Sequence, residues 1–274
     1  MKEMSLAERH QMSLDILKDV HQFCMNNHIV YSLGYGSLLG AIRHKGFIPW
    51  DDDIDIVMPR QDYERFITEY RSNQYKLLAS GSKQSWIAYS RIYEAKRTLL
   101  KTHCPFSSHY DGGVWIDLFP LDGVEDSFDL FASRIEEQTF RWRKQINLRE
   151  AKASFSECPS LTIRNKCSLI LRKVTRFYGL GLRKILQAMQ QTATEIPFGK
   201  TKHWSQLACL DDGVKNYQTT EDFSSVIVVP FEDGMFCIMN GYDRVLRNLY
   251  GDYMQLPPVE DRVLKGTFSR FFWK

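Results

Sequence analysis

The 274-residue sequence lacks several patterns, and each absence narrows the class of protein. No apolar run approaches the ~20 residues that a helix needs to cross a bilayer. The first residues form a polar amphipathic segment without the apolar stretch of a signal peptide. The six cysteines include no Cys-x-x-Cys pair, which disfavours a zinc ribbon or a disulfide framework. We therefore expect a protein that acts in the cytoplasm, with its cysteines as free thiols.

Composition and charge are unremarkable, so function must be sought in local motifs. Hydrophobic residues make up 43% and charged residues 25% of the chain, which is ordinary for a globular protein. A chain of this length can bury a substantial core, in one elaborated domain or in two small ones. The formal net charge of +3 is small; it does not exclude RNA, but we expect no nucleic-acid partner.

A glycine-serine pair stands where a strand candidate gives way to a helix candidate. Gly36 and Ser37 follow the apolar segment 29–33 and precede the segment 38–43, which has helical character. Such a junction presents backbone N–H groups and a hydroxyl to a phosphate. We interpret Gly36 and Ser37 as a phosphate-binding turn.

A cluster of aspartates follows this turn after a basic loop. In an extended segment alternate side chains share a face, so Asp53 and Asp55 project together while the isoleucine between them enters the core. Two adjacent carboxylates repel each other, and a cation such as Mg²⁺ or Mn²⁺ is the usual relief. Asp51 and Asp52 precede the alternating run, and we interpret them as contributing negative field more than ligation. The pair therefore indicates half of a metal site.

The segment 113–120 offers a third carboxylate. It is a short apolar strand candidate with one acid, Asp117, bounded by glycine and proline. A lone aspartate among such neighbours is costly to bury without a partner, so we expect Asp117 to meet a metal or a hydrogen-bond donor. The alternative is an aspartate satisfied by local backbone N–H groups.

Residues 35–55 closely resemble the signature of the LicD family of phosphocholine transferases. Arg91 with Thr98, then 115–122, and finally 250–258 resemble the remaining family blocks in the expected order. The resemblance covers roughly residues 15 to 262, with a divergent middle. It implies a nucleotidyltransferase-like fold and transfer of phosphocholine from CDP-choline to a sugar hydroxyl of a surface glycan. Fukutin-type relatives share the acidic motif but use CDP-ribitol. The resemblance therefore indicates the type of reaction better than it indicates the donor.

We predict an α/β (α+β) fold with a nucleotidyltransferase-like mixed sheet flanked by helices and a helical insertion. Residues 1–126 are assigned to the catalytic core, 127–200 to a basic helical insertion, and 201–274 to the part that completes the catalytic body on the acceptor side. Residues 5–27 have the apolar spacing of a helix, and 231–238 have the pattern of a hairpin.

The expected mechanism assigns a role to each motif. Asp53, Asp55 and Asp117 are the catalytic residues and hold one or two Mg²⁺ or Mn²⁺ ions between the donor phosphates. The remaining contacts to donor phosphate are assigned to Gly36, Ser37, Arg43, Lys45 and Arg91. Which carboxylate accepts the proton of the acceptor hydroxyl stays open.

Aromatic residues near these motifs are candidates for binding choline or the acceptor. Trp115 lies two residues before Asp117, so both should face the same side, and Trp50 directly precedes the acidic run. An indole can hold a quaternary ammonium by a cation–π contact worth roughly 0.5–2 kcal/mol. Tyr250, Asp252 and Tyr253 could hold the acceptor sugar, although core packing of the tyrosines explains them as well.

The segment 164–186 is basic and amphipathic. It could lie on an anionic membrane surface, which would suit a lipid-linked glycan acceptor, or it could be a core-facing helix with a solvated basic face. Three alternatives to phosphocholine transfer stay open. They are transfer of ribitol or glycerol phosphate from a CDP-alcohol, nucleotidyl transfer from a nucleoside triphosphate, and a non-catalytic module that only binds metal or ligand.

Overall fold

The computed structural model describes residues 1–82, 84–102, 112–150, 178–263 and 269–274. The helices are α1 (Leu6–Asn27), α2 (Tyr35–Arg43), α3 (Arg60–Glu69), α4 (Phe128–Glu150), α5 (Tyr178–Thr194) and α6 (Tyr242–Tyr250). The strands are β1 (Ser32–Leu33), β2 (Asp55–Pro59), β3 (Tyr75–Leu78), β4 (Ser90–Glu94), β5 (Thr98–Thr102), β6 (Trp115–Val124), β7 (His203–Ser205), β8 (Gln218–Thr219), β9 (Val226–Phe231), β10 (Gly234–Met239) and β11 (Ser269–Trp273).

The main sheet is mixed, as predicted. Its strands run in the order β1-β2-β6-β4-β3; β2 and β6 are parallel, and the other pairs are antiparallel. The long strand β6 pairs with β2 and β4 along its first part and with β7 at its end, and β8 extends the sheet beyond β7. Two-stranded sheets are formed by β9 with β10 and by β5 with β11. The mixed α/β fold class is confirmed.

Helix α1 forms one wall of the core. Ser5 caps its first turn in a reciprocal box with Glu8, whose carboxylate accepts a hydrogen bond from the Ser5 N–H. Leu14, Leu17 and Val20 follow helical spacing and are buried where the helix packs against β4 and β6. The predicted helix over 5–27 is therefore confirmed.

Some predicted boundaries shift by a few residues. The acidic strand begins at Asp55, so Asp53 precedes the ladder, yet Ile54 and Ile56 are fully buried as expected. The predicted hairpin is present as β9 and β10. Helix α6 begins after Gly241, and the side chain of the preceding Asn240 accepts a hydrogen bond from the Ser225 N–H.

Helices α4 and α5 pack against each other beside the sheet. The Gln138 amide donates to the Met189 carbonyl at 3.0 Å, and Leu182 and Leu186 are buried in a cluster with Ala88. Most of the basic segment 164–186 lies outside the described residues. No helix within the described ranges is both long enough and apolar enough to cross a membrane.

Candidate active site

Strand register places the predicted acidic residues side by side. Asp55 on β2 pairs directly with Asp117 on β6, and Asp117 pairs with Arg91 on β4. Directly paired residues point to the same face of a sheet, so the three side chains converge. Asp53 joins them from the loop before β2. One carboxylate oxygen from each of Asp53, Asp55 and Asp117 lies within 4.8 Å of the others, a group that could hold a metal ion.

The glycine-serine junction is joined directly to this acidic group. Ser37 lies in the first turn of α2, and its buried hydroxyl accepts a hydrogen bond from the Asp55 N–H at 2.9 Å. The Gly34 N–H donates to the Asp55 carbonyl at 2.9 Å, which adds a second anchor for the Asp55 backbone. A hydroxyl that accepts this bond can still donate its own hydrogen, so a contact from Ser37 to phosphate stays a prediction.

Gly36 permits a carboxylate to approach the N-terminus of α2. A Cβ atom at this position would lie 2.3 Å from Oδ2 of Asp51, a separation that real Cβ contacts do not show. The partial positive charge of a helix N-terminus favours an anion at this place. Asp51 forms a second group with Asp52 and Asp53, whose oxygens lie within 4.8 Å of one another, while Asp52 also pairs with Arg9 at 3.0 Å.

Asp117 meets hydrogen-bond donors, as expected for a buried acid. Its carboxylate accepts bonds from Nε of Arg91 at 2.6 Å and from Nη2 at 3.2 Å. The Trp115 indole N–H also donates to it at 3.3 Å, so Trp115 and Asp117 share a face as predicted. The Arg91 guanidinium lies over the Trp115 ring, 4.4 Å from its centroid. Arg91, predicted to bind donor phosphate, therefore neutralises Asp117 in this structure.

The acidic group carries more negative charge than its surroundings balance. Desolvation, followed by the charges of Asp51, Asp117 and Asp52, raises the pKa of Asp53 to about 8, and Arg91 only partly offsets this. Burial and the charges of Asp53 and Asp117 also raise the pKa of Asp55 well above its ordinary value. Such a group holds either protons or a cation. Its all-oxygen ligands suit Mg²⁺ or Mn²⁺, so the residues fit the expected metal.

The predicted residues at the end of α6 separate into two environments. Tyr250 is 40% exposed, and burial of its hydroxyl together with the charges of Asp212 and Asp55 raises its pKa. The charges of Asp51 and Asp53 also raise this pKa. Tyr253 is buried and donates to Asp243 at 2.7 Å, which is the core role considered for it, whereas Asp252 is exposed.

The three remaining predicted residues lie at the C-terminal end of α2 and in the loop that follows it. Arg43 donates from Nη1 to the Tyr253 carbonyl at 2.7 Å, and Lys45 is exposed. Trp50 is half-buried, and the guanidinium of Arg262 lies 5.7 Å from its ring centroid. The assignment of Arg43 and Lys45 to the donor phosphates stays a prediction.

A further wall of the site, which begins at Asp212, was not predicted from the sequence. Asp212 immediately precedes a 3₁₀ helix, Gly213–Asn216, and the Asn216 amide donates to the Tyr35 hydroxyl at 2.9 Å. The charge of Asp212 is the largest charge effect raising the pKa of Tyr35, after burial. The only sequence signal is the Asp-Asp-Gly run at 211–213, and no spacing relates that run to the acidic motif.

The fold and site together define a nucleotidyltransferase-like transferase with a triad of carboxylates at its centre. Residues 28–158 match the family model described as LicD/FKTN/FKRP, nucleotidyltransferase domain. The chain is 34% identical over 268 residues to the lipopolysaccharide cholinephosphotransferase LicD of Haemophilus influenzae, a match that covers 96% of each chain. The chain belongs to the LicD family.

Two shorter similarities involve uncharacterized rickettsial proteins. The one from Rickettsia typhi is 34% identical over 80 residues, which cover 28% of this chain and 26% of that protein. The one from Rickettsia prowazekii is 40% identical over 62 residues, which cover 22% and 23% of the two chains. Matches of this length support a shared segment and add nothing about substrate.

Proposed function

We propose that the protein transfers phosphocholine from CDP-choline to a sugar hydroxyl of a cell-surface glycan precursor and releases CMP. One observation carries the proposal: Asp53, Asp55 and Asp117 converge in a chain that aligns over nearly its whole length with a lipopolysaccharide cholinephosphotransferase. The glycan is of the lipopolysaccharide, teichoic acid or capsule type. The name of the relative supports the transferred group and the lipopolysaccharide type most directly.

The three aspartates would hold Mg²⁺ or Mn²⁺. Bound there, the ion would supply positive charge to the donor phosphates and to the departing CMP. The Ser37 hydroxyl fixes the backbone of Asp55, and the Arg91 guanidinium holds the carboxylate of Asp117, so one ligand carboxylate and the backbone of a second are positioned before anything binds. This preorganisation limits the reorganisation that substrate binding requires.

The residues of the chain also position the reactants. The first turn of α2 presents backbone N–H groups toward the site, and Ser37 lies within that turn. The acceptor hydroxyl oxygen attacks the phosphorus of the phosphocholine group, and the bond from that phosphorus to the CMP oxygen breaks. The proton of the hydroxyl passes to a site carboxylate or to water. This route conserves charge and leaves a phosphodiester on the sugar.

We place the reaction on the cytoplasmic side of the membrane, with a lipid-linked acceptor and peripheral contact through the basic segment 164–186. The segment from Arg164 to Lys184 contains seven basic residues and no acidic residue, which supports this part of the proposal. Flotation with anionic liposomes tests it. The intact chain should float with the vesicles, and failure to bind would end the membrane idea.

The donor is tested by following CMP and pyrophosphate separately. The purified chain is incubated with Mg²⁺ or Mn²⁺, a lipid-linked glycan extract, and each of CDP-choline, CDP-ribitol, CDP-glycerol and CTP. We expect CMP from CDP-choline alone, in amounts that depend on the glycan. CMP from another CDP-alcohol would change the donor, pyrophosphate from CTP would indicate nucleotidyl transfer, and no product from any donor would favour a binding module.

A further inference from the structure

The two tryptophans that the sequence offers for choline each lie against a cation already. Arg91 lies 4.4 Å from the ring centroid of Trp115, and Arg262 lies 5.7 Å from that of Trp50. A ring face attracts one cation through its quadrupole, and a guanidinium there repels a second positive group. One face of each indole is therefore already occupied by a guanidinium group, and we look for the trimethylammonium subsite elsewhere around the acidic group.

The wall formed by Asp212 and Tyr250 has the opposite character. Helix α6 packs against the 3₁₀ helix Gly213–Asn216, which brings Tyr250, the last residue of α6, to the wall that begins with Asp212. Asp212 is half-buried. Within the described ranges, its carboxylate has no side-chain hydrogen bond and no ion pair within 4 Å; Lys215 provides only a longer-range attraction. The site therefore has an uncompensated negative charge beside an exposed aromatic ring.

The position of this wall relative to the acidic triad also suits the donor. The Asn216 amide of the 3₁₀ helix that follows Asp212 donates to the Tyr35 hydroxyl at 2.9 Å, and Ser37, two residues after Tyr35, accepts a hydrogen bond from the Asp55 N–H, so this wall adjoins the phosphate-binding turn beside the triad. Burial raises the pKa of Tyr250, and the charges of Asp212, Asp55 and Asp51 raise it further. In phosphocholine a short ethylene linker separates the phosphate oxygen from the ammonium. A cation subsite must then adjoin the phosphate site, as this wall does. Asp212 itself is outside both carboxylate groups that could hold a metal.

We propose that Asp212 and the ring of Tyr250 bind the trimethylammonium group of the donor and so select choline over uncharged alcohols. The inference rests on the proposed phosphocholine donor. A quaternary ammonium has no hydrogen to donate, so an aromatic face and an unpaired carboxylate are the groups that recognise it. Because Asp212 is partly removed from water, its attraction for the cation is stronger than that of an exposed acid.

The test compares two ligands that differ only in charge. Dissociation constants are measured by calorimetry, with Mg²⁺ and without acceptor, for CDP-choline and for its neutral carbon isostere, CDP-3,3-dimethylbutanol. The wild-type chain should bind CDP-choline about tenfold more tightly or better. Asp212→Asn should bring the two constants close together by weakening CDP-choline alone. Asp211→Asn, the same charge change at the exposed neighbouring residue, should keep the wild-type ratio.

A second pair of variants addresses the ring independently of Asp212. Tyr250→Phe keeps the aromatic face and should keep most of the preference, whereas Tyr250→Leu should lose it; this pair decides the question if Asp212→Asn does not fold. An unchanged preference in both Asp212→Asn and Tyr250→Leu would overturn the inference. Equal binding of the two ligands by the wild type would overturn it as well, while CMP release from CDP-choline would keep the proposed function. If CDP-choline neither binds nor reacts, both proposals fail.

Discussion

Strands β2 and β6 run between two charge clusters that differ in how their charges are balanced. At one end, Asp55 and Asp117 meet a single arginine, Arg91, and Asp53 adds another carboxylate. Near the other end, Arg60, directly after β2, donates two hydrogen bonds of 2.7 Å each to the carboxylate of Asp122 on β6. The side chains of Arg60 and Asp122 are 9% and 1% exposed, so this pair is almost completely removed from water.

The difference in charge balance indicates which cluster stabilises the fold and which one serves function. The Arg60 guanidinium is matched by the planar carboxylate of the buried Asp122 and, at 3.2 Å, by the exposed Glu64, so no further ligand is needed there. Among the described residues around Asp117 the carboxylates outnumber the arginine, and burial followed by this excess negative charge raises the pKa of Asp53 and Asp55. A protein keeps such an imbalance where a cationic ligand completes the site. Breaking each cluster should therefore have opposite consequences for activity and stability.

The largest effect is expected from Asp55→Asn. Loss of one ligand carboxylate should lower the rate of CMP release at least ~10³-fold, because stabilisation of charge on the transferring phosphoryl group is the main contribution to such catalysis. The unliganded protein should become more stable, since the fold no longer has to keep this carboxyl group protonated or next to other carboxylates. Activity assays and thermal unfolding of the same preparation test both statements. An active Asn variant would remove Asp55 from the mechanism.

The balanced cluster should respond in the reverse way to Asp122→Asn. The change leaves the buried Arg60 guanidinium with only the exposed Glu64 as a counter-charge. Removing one partner of a buried ion pair typically costs about 3–5 kcal/mol of unfolding free energy. Urea unfolding measures this loss, and CMP release per folded molecule should stay near the wild-type value. The double variant Arg60→Met with Asp122→Leu should recover much of the stability. A double variant as unstable as Asp122→Asn would contradict a simple charge-pair role.

The contrast also explains which parts of the site were predictable from sequence. Asp53 and Asp55 alternate with buried isoleucines, and Asp117 is a single acid in an apolar strand, so local patterns reveal them. The pairing of Arg91 with Asp117 depends on the register of β4 against β6, which no local pattern encodes. Asp212 reaches the site through the packing of α6 against a short 3₁₀ helix, and such long-range contacts leave no periodic signal.

The predicted start of the acidic strand was wrong for a related reason. Alternation predicts that the acidic strand includes Asp53, but the ladder begins at Asp55, where the Ser37 hydroxyl and the neighbouring strands supply hydrogen-bond partners. Side-chain alternation and strand pairing thus begin at different residues. The faces of the side chains were predicted correctly because they depend only on local backbone geometry.

An intermediate effect is expected from pH in the metal-free protein. The pKa of Asp53 is about 8 in the folded state against an ordinary value of 3.8, so the folded state retains a proton that the unfolded chain releases. This contribution is complete below about pH 4 and is lost as the pH rises through 8. We expect a loss of roughly 3–4 kcal/mol between pH 5 and 8, seen as a lower melting temperature.

Two controls sharpen the pH experiment. In Asp53→Asn the melting temperature should depend less on pH over the same range, because the titrating group is gone. Saturating Mg²⁺ should raise the melting temperature most at pH 8, where the carboxylates are ionised and bind the ion best. A metal-free protein that becomes more stable from pH 5 to 8 would show that the carboxylates are not held protonated.

The smallest effect is expected where the acidic cluster meets the first turn of α2. Ala normally stabilises a helix relative to Gly by about 1 kcal/mol, but at Gly36 its Cβ would lie 2.3 Å from Oδ2 of Asp51. Displacing that carboxylate should outweigh the helical gain, so we expect Gly36→Ala to lower the unfolding free energy by about 1 kcal/mol. Gly181→Ala is the matched control in α5, where a Cβ meets no atom within 4 Å and should stabilise. Adding Asp51→Ser to Gly36→Ala should recover the lost unfolding free energy, because the clash involves only the side chains at positions 36 and 51. Equal stabilisation by the two alanine substitutions would mean that Asp51 moves freely and does not depend on Gly36.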